Sequence, residues 1–528
     1  MSGSGLIGVV RALPHLCAFT FTIVVINTFH NEPFFNTLQS MVMCPLPLPD
    51  TNASGHGKRR ICPKGSLYNG SGLDTCEAVP PDDPDWSYSR HCIDQAFTAE
   101  KATVLSSESH ASSLVIVIPV LLCSGPFMDS YGRRPVSLFG MSAFVAFGIV
   151  MIQFTLLPPS AWSQKAISLM FFGKCICAFA ATLMPSIQTM LADLTLDSAH
   201  DPRVAPIKYR RSESVQSIRA RGDAYAAMGA MVALGRLAAS LVNYWALTLQ
   251  LTSWTWVWVG YATVAGLFLA FFAYVLPETF ANKTSRRPSA SACMADMRAV
   301  LATICGDGFM RIYYVVFAFL GSVMVTFDGM VAVFFVTSME FHASAWAFVA
   351  SIAGVPPTIL VAAAATARCI RSCGVERTFG VGIAASVVGL ASGALAALWF
   401  EAAAWPASVL AVAGMLLHVF GQTAMNTCNL TLISSRFAAS CVGSALVMSE
   451  AACIAAALPT ILVYKSWLVR PSASGWEAAR IWLGTLFMVA GAGAIILALF
   501  KKATPTVSEE GDDSETSGTD TAASDPLE

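Results

Sequence analysis

Charge is what this chain has least of. Asp, Glu, Lys and Arg make up only 12% of its 528 residues, against about a quarter in an ordinary soluble domain. A soluble chain of this length folds as roughly three or four domains, each needing a charged surface, and too little charge is present to cover them. The net charge is −1, so there is no basic excess to attract nucleic acid. No Gly-rich phosphate loop ending in Lys-Ser/Thr occurs, which excludes that route to ATP-driven work. What fills the chain instead is apolar, at 55%. That points to one polytopic membrane domain. Of the 15 cysteines, Cys175, Cys177, Cys428 and Cys453 fall inside apolar runs and read as small buried hydrophobes.

A span needs about 20 mostly apolar residues. Twelve such runs are expected, near 9–29, 110–128, 136–157, 166–192, 223–247, 254–276, 312–337, 345–367, 379–399, 406–432, 441–464 and 480–500. The first holds Asn27 and His30 and lacks a small-residue cleavage site, so it reads as a retained helix rather than a signal peptide. Lys and Arg set the orientation. They gather after span 2 (Arg133, Arg134), after span 4 (Arg203, Lys208, Arg210, Arg211, Arg219, Arg221), in the middle loop (Lys283, Arg286, Arg287, Arg298), after span 8 (Arg368, Arg371, Arg377) and after span 12 (Lys501, Lys502). Those loops are cytoplasmic and both termini lie inside. The stretch near 465–480, with Lys465, Arg470 and Arg480, is a mild exception.

The expected organisation is an N-terminus and helix 1 over 1–30, an outer loop over 31–107 and the rest of a six-helix half over 108–276. A cytoplasmic middle loop over 277–311, a second six-helix half over 312–500 and a tail over 501–528 complete it. The outer loop holds Cys44, Cys62, Cys76 and Cys92, an even number on the oxidising side, which predicts two disulfides with the pairing left open. It also holds glycosylation acceptors at Asn52 and Asn69. Asn282 and Asn429 match the same pattern on the wrong side or within a span, and are expected to stay unmodified. The tail is rich in Ser, Thr, Asp and Glu and reads as a disordered solubilising end.

Between spans 2 and 3 the sequence runs Gly-Pro-Phe-Met-Asp-Ser-Tyr-Gly-Arg-Arg-Pro over 125–135. Gly125, Asp129, Gly132, Arg133 and Arg134 match the signature of the major facilitator superfamily of transporters, which this chain therefore resembles. Glycine there permits a tight turn and close helix approach, while Asp and Arg pair at the membrane edge to hold one gate state. The resemblance adds Asp193, at the inner end of span 4, as a third member of that gate. It implies an all-α membrane protein of twelve helices in two halves around a midplane cavity, working by alternating access.

Charges inside a bilayer are costly and are functional candidates. Arg236 in span 5 and Asp328 in span 7 come from different halves at similar depth. Arg236 can hold a carboxylate with a bidentate fork; Asp328 can be its counter-ion or carry a proton. A structural salt bridge is the alternative for the pair. Lys174 in span 4 has a substrate role or snorkels to the interface. Glu450 in span 11 is a proton carrier or a structural hydrogen-bonding group. His30, with Asn27 one turn before it, titrates near neutrality or is an ordinary interface residue.

Further stretches resemble the proton-coupled folate transporter family (solute carrier family 46). These are the cysteine-bearing outer loop, the 125–135 run, Phe-Gly-Lys-Cys-Ile-Cys-Ala at 172–178, Leu-Ala-Asp-Leu-Thr at 191–195, Leu-Pro-Glu-Thr at 276–279 and Gly-Ser-Ala-Leu-Val at 443–447. The family's working residues are replaced here. Its span 5 glutamate falls at Met228, its span 7 histidine near Val325, its span 4 acid at Thr182 and its span 10 arginine near Thr431. That points to a relative with another substrate. The expectation is a secondary transporter, not an enzyme, with no cofactor and no metal. It would act as a monomer in the lipid bilayer and move a small organic solute, anionic because Arg236 and Lys174 supply positive charge, together with protons. A receptor or scaffold on the same fold, and a drug–proton antiporter, are the alternatives. Plasma membrane and endosomal or lysosomal membrane both fit.

Overall fold

A computed structural model of the chain describes residues 13–29, 66–68, 76–78, 95–156, 164–195, 215–248, 254–279, 290–337, 349–437, 441–464 and 475–503. The chain enters through α1 (Leu13–Phe29), an apolar helix of the shorter class. Between α1 and the next helix, β1 (Ser66–Tyr68) and β2 (Cys76–Ala78) pair antiparallel, with Leu67 opposite Glu77. Then come α2 (Gln95–Tyr131), α3 (Arg133–Thr155), and α4 (Gln164–Cys177), which runs through a 3₁₀ turn at Ala178–Thr182 into α5 (Leu183–Leu194). Next are α6 (Val215–Thr248) and α7 (Trp254–Val275), completing the first half. After a short α8 (Ala290–Gly306), the second half is α9 (Gly308–Thr337), α10 (Val355–Cys373), α11 (Val375–Trp399), α12 (Ala404–Arg436), α13 (Val442–Val463) and α14 (Gly475–Ala503).

Among the described residues, eleven helices are long and apolar enough to cross a membrane. With the shorter α1 they make up the twelve expected. The protein is an all-α membrane protein, apart from the small β1–β2 ribbon.

Helix α8 lies in the stretch read from the sequence as plain loop. Its Val300 and Ile304, one turn apart, are buried, the mark of a one-sided helix. It ends where Asp307 Oδ1 accepts the backbone N–H groups of Phe309 (2.7 Å) and Met310 (3.2 Å), capping the start of α9.

Each half has an aromatic centre. In the first, Phe147 meets the Trp258 ring edge-on at 5.5 Å, and Phe19 meets Phe272 at 4.7 Å. In the second, Phe327 packs on Trp482 and on His418, both at 5.1 Å. Helices α11 and α12 cross backbone to backbone at the pairs Gly389–Gly414 and Gly382–Gly421, the small-residue contact typical of membrane bundles.

The two halves repeat one turn. Gly132, between α2 and α3, has φ 106° and ψ 167°; Gly374, between α10 and α11, has φ 85° and ψ 169°. Asp129 stands three residues before the first glycine and Arg371 three before the second.

Candidate functional site: a buried charge cluster and a central charged site

At the basic end of the bundle, Arg133 is fully buried. Its Nη1 donates to Asp129 Oδ1 at 2.8 Å and its Nε to Asp193 Oδ2 at 3.2 Å. Two carboxylates on one guanidinium leave an excess negative charge. The N-terminus of α13 meets it, because Ser444 gives Asp129 Oδ2 both its backbone N–H (2.9 Å) and its hydroxyl (2.6 Å). Ser444 sits in the first turn of α13, where free N–H groups and the helix dipole favour an anion. The cluster therefore ties α2, α3 and α5 of the first half to α13 of the second. Gly125 lies at the closest approach of α2 to α13: a methyl group there would come within 2.8 Å of Ser444 Cα.

The turn itself is held from α7. Gly132 has no side chain to cap α3, so Glu278 does it, accepting the N–H of Arg133 (2.9 Å) on one oxygen and that of Arg134 (3.3 Å) on the other. Pro277 prevents α7 from continuing, and Leu276 closes its last turn onto Phe272. Thr279 then donates its hydroxyl to Asp193 Oδ2 at 3.1 Å. Arg134 reaches Ala273 O on the same helix. The Leu-Pro-Glu-Thr run thus clamps the turn and the charge cluster. Its part, like that of Ser444, was not assigned from the sequence, although both residues lie in the runs quoted there.

Two more contacts cross between halves at this end. Arg221 Nη1 of α6 donates to Ser434 O of α12 at 2.5 Å, fully buried. Asp223 of α6 pairs with Arg371 of α10 at 3.0 Å, largely exposed.

In the middle of the bundle, Asp328 of α9 accepts a hydrogen bond from Gln422 Nε2 of α12 at 2.9 Å on Oδ2. Its other oxygen, Oδ1, is buried and has no hydrogen-bond partner among the described residues. Arg236 of α6 lies on an exposed face within electrostatic reach of Asp328. Among the described residues no direct ion pair joins them, so the structural salt bridge weighed from the sequence is not formed here. Arg236 follows Gly222 and Gly229 at intervals of one heptad on α6. Those glycines face Ile370 and Ala363 of α10, and α6 also packs on the π-helical turn Val349–Gly354 at the outer start of α10. Tyr464, hydrogen-bonded to Thr485, lies within electrostatic reach of Asp328. Gln422, a direct partner of Asp328, was not assigned from the sequence, since a lone Gln in a span carries no charge signal.

The remaining candidates stand elsewhere. Lys174 lies over the Phe147 ring at 5.6 Å, in the packing of α3, α4 and α7. Glu450 lies near Cys453 on α13. Asn27 is exposed near the end of α1. His30, Cys44, Cys62, Cys92, Asn52 and Asn69 lie outside the described residues; Cys76 is in β2, its side chain undescribed. Among the described residues, no cluster fit to hold a metal ion occurs.

Residues 102–459 match the sequence profile of the Major Facilitator Superfamily. Solved structures of similar shape include the human organic anion transporter MFSD10 (TETRAN), at 16% identity and TM-score 0.51, over 91% of this chain and 99% of that one. The proton:xylose symporter XylE of E. coli, bound to 6-bromo-6-deoxy-D-glucose, matches at 14% identity and TM-score 0.58, over 94% and 95%. A bacterial homologue of the iron transporter ferroportin, outward-facing, matches at 10% identity and TM-score 0.57, over 93% and 99%. At these identities the likeness is one of fold. No curated protein matches the chain in sequence.

Proposed function

The chain belongs to the major facilitator superfamily, and from that premise we propose that it is a proton-coupled carrier of a small organic anion, with Arg236 and Asp328 at its central site. A transporter of this architecture moves a small solute across the bilayer without ATP, by exposing one site to each side in turn.

The observation that carries the reading is the pair of opposite charges from different halves, within electrostatic reach but not in contact. Arg236 presents a planar fork suited to a carboxylate. Asp328 offers Oδ1, buried and unpartnered among the described residues, as the place for a proton. A bound carboxylate on Arg236 changes the field at Asp328, and a proton on Asp328 removes a negative charge that would repel the incoming anion. That mutual dependence is what couples the two flows. Because the charges come from α6 and α9, binding both ligands also joins the halves.

The resemblance to the proton-coupled folate transporter family supports the same reading, and the residues that replace that family's machinery argue for a different anion. Val325, near the position of the family's span 7 histidine, stands one turn before Asp328 on α9. In this reading Asp328 takes over the titrating role from the next turn of that helix. The Asp129–Arg133–Asp193 cluster serves as the inner gate, and its full set of partners favours a working carrier over a receptor on the same fold. A complete latch is of no use to a protein that does not cycle.

The test is uptake into proteoliposomes of a panel of labelled organic anions, folates and small peptides included, with the outside acidic or neutral. The proposal expects acid-stimulated uptake of at least one anion, abolished by Arg236→Ala. Uptake of only cationic or neutral solutes, or none from the panel at either pH, overturns it.

A further inference from the structure

A groove lies at the basic end of α10. Ala364, Arg368, Arg371 and Ser372 line a groove of about 560 Å³, a size usual for small-ligand sites. Arg368 follows Ala364 by four residues, and Arg371 and Ser372 follow Arg368 by three and four, so all lie on one side of the helix. Arg368 is exposed and has no ion-pair partner among the described residues. Among the described residues Arg371 is held only by Asp223, through Nε, in a pair whose side chains are 59% and 42% exposed. An exposed pair of this kind contributes little, and it leaves the terminal nitrogens of Arg371 to other acceptors. Two guanidinium groups one turn apart suit the oxygens of a phosphate.

The apolar half of the same face points to what carries that phosphate. Moving away from the groove along α10, the exposed positions are Val361 (62%), Leu360 (40%) and Pro357. The helix thus shows an apolar track within the membrane span that ends in two arginines at the cytoplasmic margin. A free anion has no use for the track. A phospholipid uses both ends: acyl chain along Leu360 and Val361, headgroup at Arg368 and Arg371.

We propose that this groove is a site for an anionic phospholipid of the cytoplasmic leaflet, its phosphate held by Arg368 and Arg371. Each arginine near an anionic headgroup strengthens binding about fivefold.

The test uses the full-length protein purified in mixed micelles of phosphatidylcholine and phosphatidylinositol, with retained lipid counted by native mass spectrometry. The wild type should hold phosphatidylinositol in preference to phosphatidylcholine. Arg368→Gln should lower the retained fraction about fivefold, and Arg377→Gln, an exposed arginine beyond the groove, should leave it unchanged. Ala364→Trp fills the groove without touching its charge and should also release the lipid; it decides the matter if the arginine variant does not fold. Retention equal in wild type, Arg368→Gln and Ala364→Trp overturns the proposal. So does displacement by soluble inositol phosphate at the concentration at which phosphatidylinositol itself competes, which would make the groove a site for a free anion.

Discussion

Removing one hydroxyl, Ser444→Ala, should loosen the cytoplasmic latch far more than removing the whole Arg371–Asp223 pair. The Ser444 hydroxyl donates to Asp129 Oδ2 at 2.6 Å, with Ser444 and Asp129 both buried. A hydrogen bond to a charged group contributes about 1.5–3 kcal/mol. The bond exists only while α2 and α13 are together, so its loss falls on the closed-latch state alone. The balance between latched and open forms should move about 10- to 150-fold towards open. The Ser444 N–H remains on Asp129 at 2.9 Å and Arg133 keeps Asp193, so the fold itself should be little affected. Arg371→Gln removes an exposed pair worth about 0.2–1 kcal/mol, a shift of about fivefold at most. Spin labels at two cytoplasmic helix ends, Tyr131→Cys and Arg377→Cys, report the separation of the halves. The background should lack the exposed Cys123, Cys305 and Cys373. The expected result is a distance distribution that gains a long component in Ser444→Ala and stays near wild type in Arg371→Gln. An unchanged distribution in Ser444→Ala, or a larger change in Arg371→Gln, refutes the reasoning that burial decides which contact holds the gate.

Gly132→Ala should lower the thermal unfolding temperature of the purified protein. It forces a side chain to φ 106° and pushes a methyl group into the Glu278 carboxylate, a cost of at least about 1–2 kcal/mol; an unchanged temperature would mean the turn readily rearranges. Gly125→Val should open the latch without unfolding the halves, because its side chain meets the Ser444 backbone rather than a movable tip. The same spin-label pair reads this, and a wild-type distribution would show that α2 and α13 do not need their close approach. Glu278→Gln should cost about 1–3 kcal/mol, since a neutral amide is a weaker acceptor for the α3 N–H groups, and should appear as reduced protection of the Arg133 and Arg134 amides in hydrogen exchange.

The fold was legible because membrane spans announce themselves. Runs of about twenty apolar residues give the helices, and the glycine, aspartate and arginine of 125–135 place the turn between α2 and α3. Asp129, Arg133 and Asp193 could be named together only through the superfamily resemblance, and the structure brings the three side chains into contact. What stayed hidden was uncharged or distant in sequence. Ser444 is 315 positions from Asp129, Glu278 is 145 from Arg133, and Gln422 is 94 from Asp328. Nothing in local pattern joins such residues; only helix packing does. Helix α8 was missed for a different reason. It has an apolar face but is too short to cross, and the search for spans passed over it. The pairing of Arg236 with Asp328 shows the limit of reading by type and depth: the two charges share a level and a field, but not a direct contact.

The measurement that tests the central claim most directly compares two kinds of flux in Asp328→Asn proteoliposomes, using whichever anion the wild type takes up. Exchange of labelled for unlabelled anion needs the site and the gates but no net proton movement; uphill uptake driven by an acidic outside needs the coupling group. The account predicts that Asp328→Asn keeps exchange and loses acid-driven uptake, while Arg236→Ala loses both. Acid-driven uptake undiminished in Asp328→Asn would contradict it, and would place the proton on another residue.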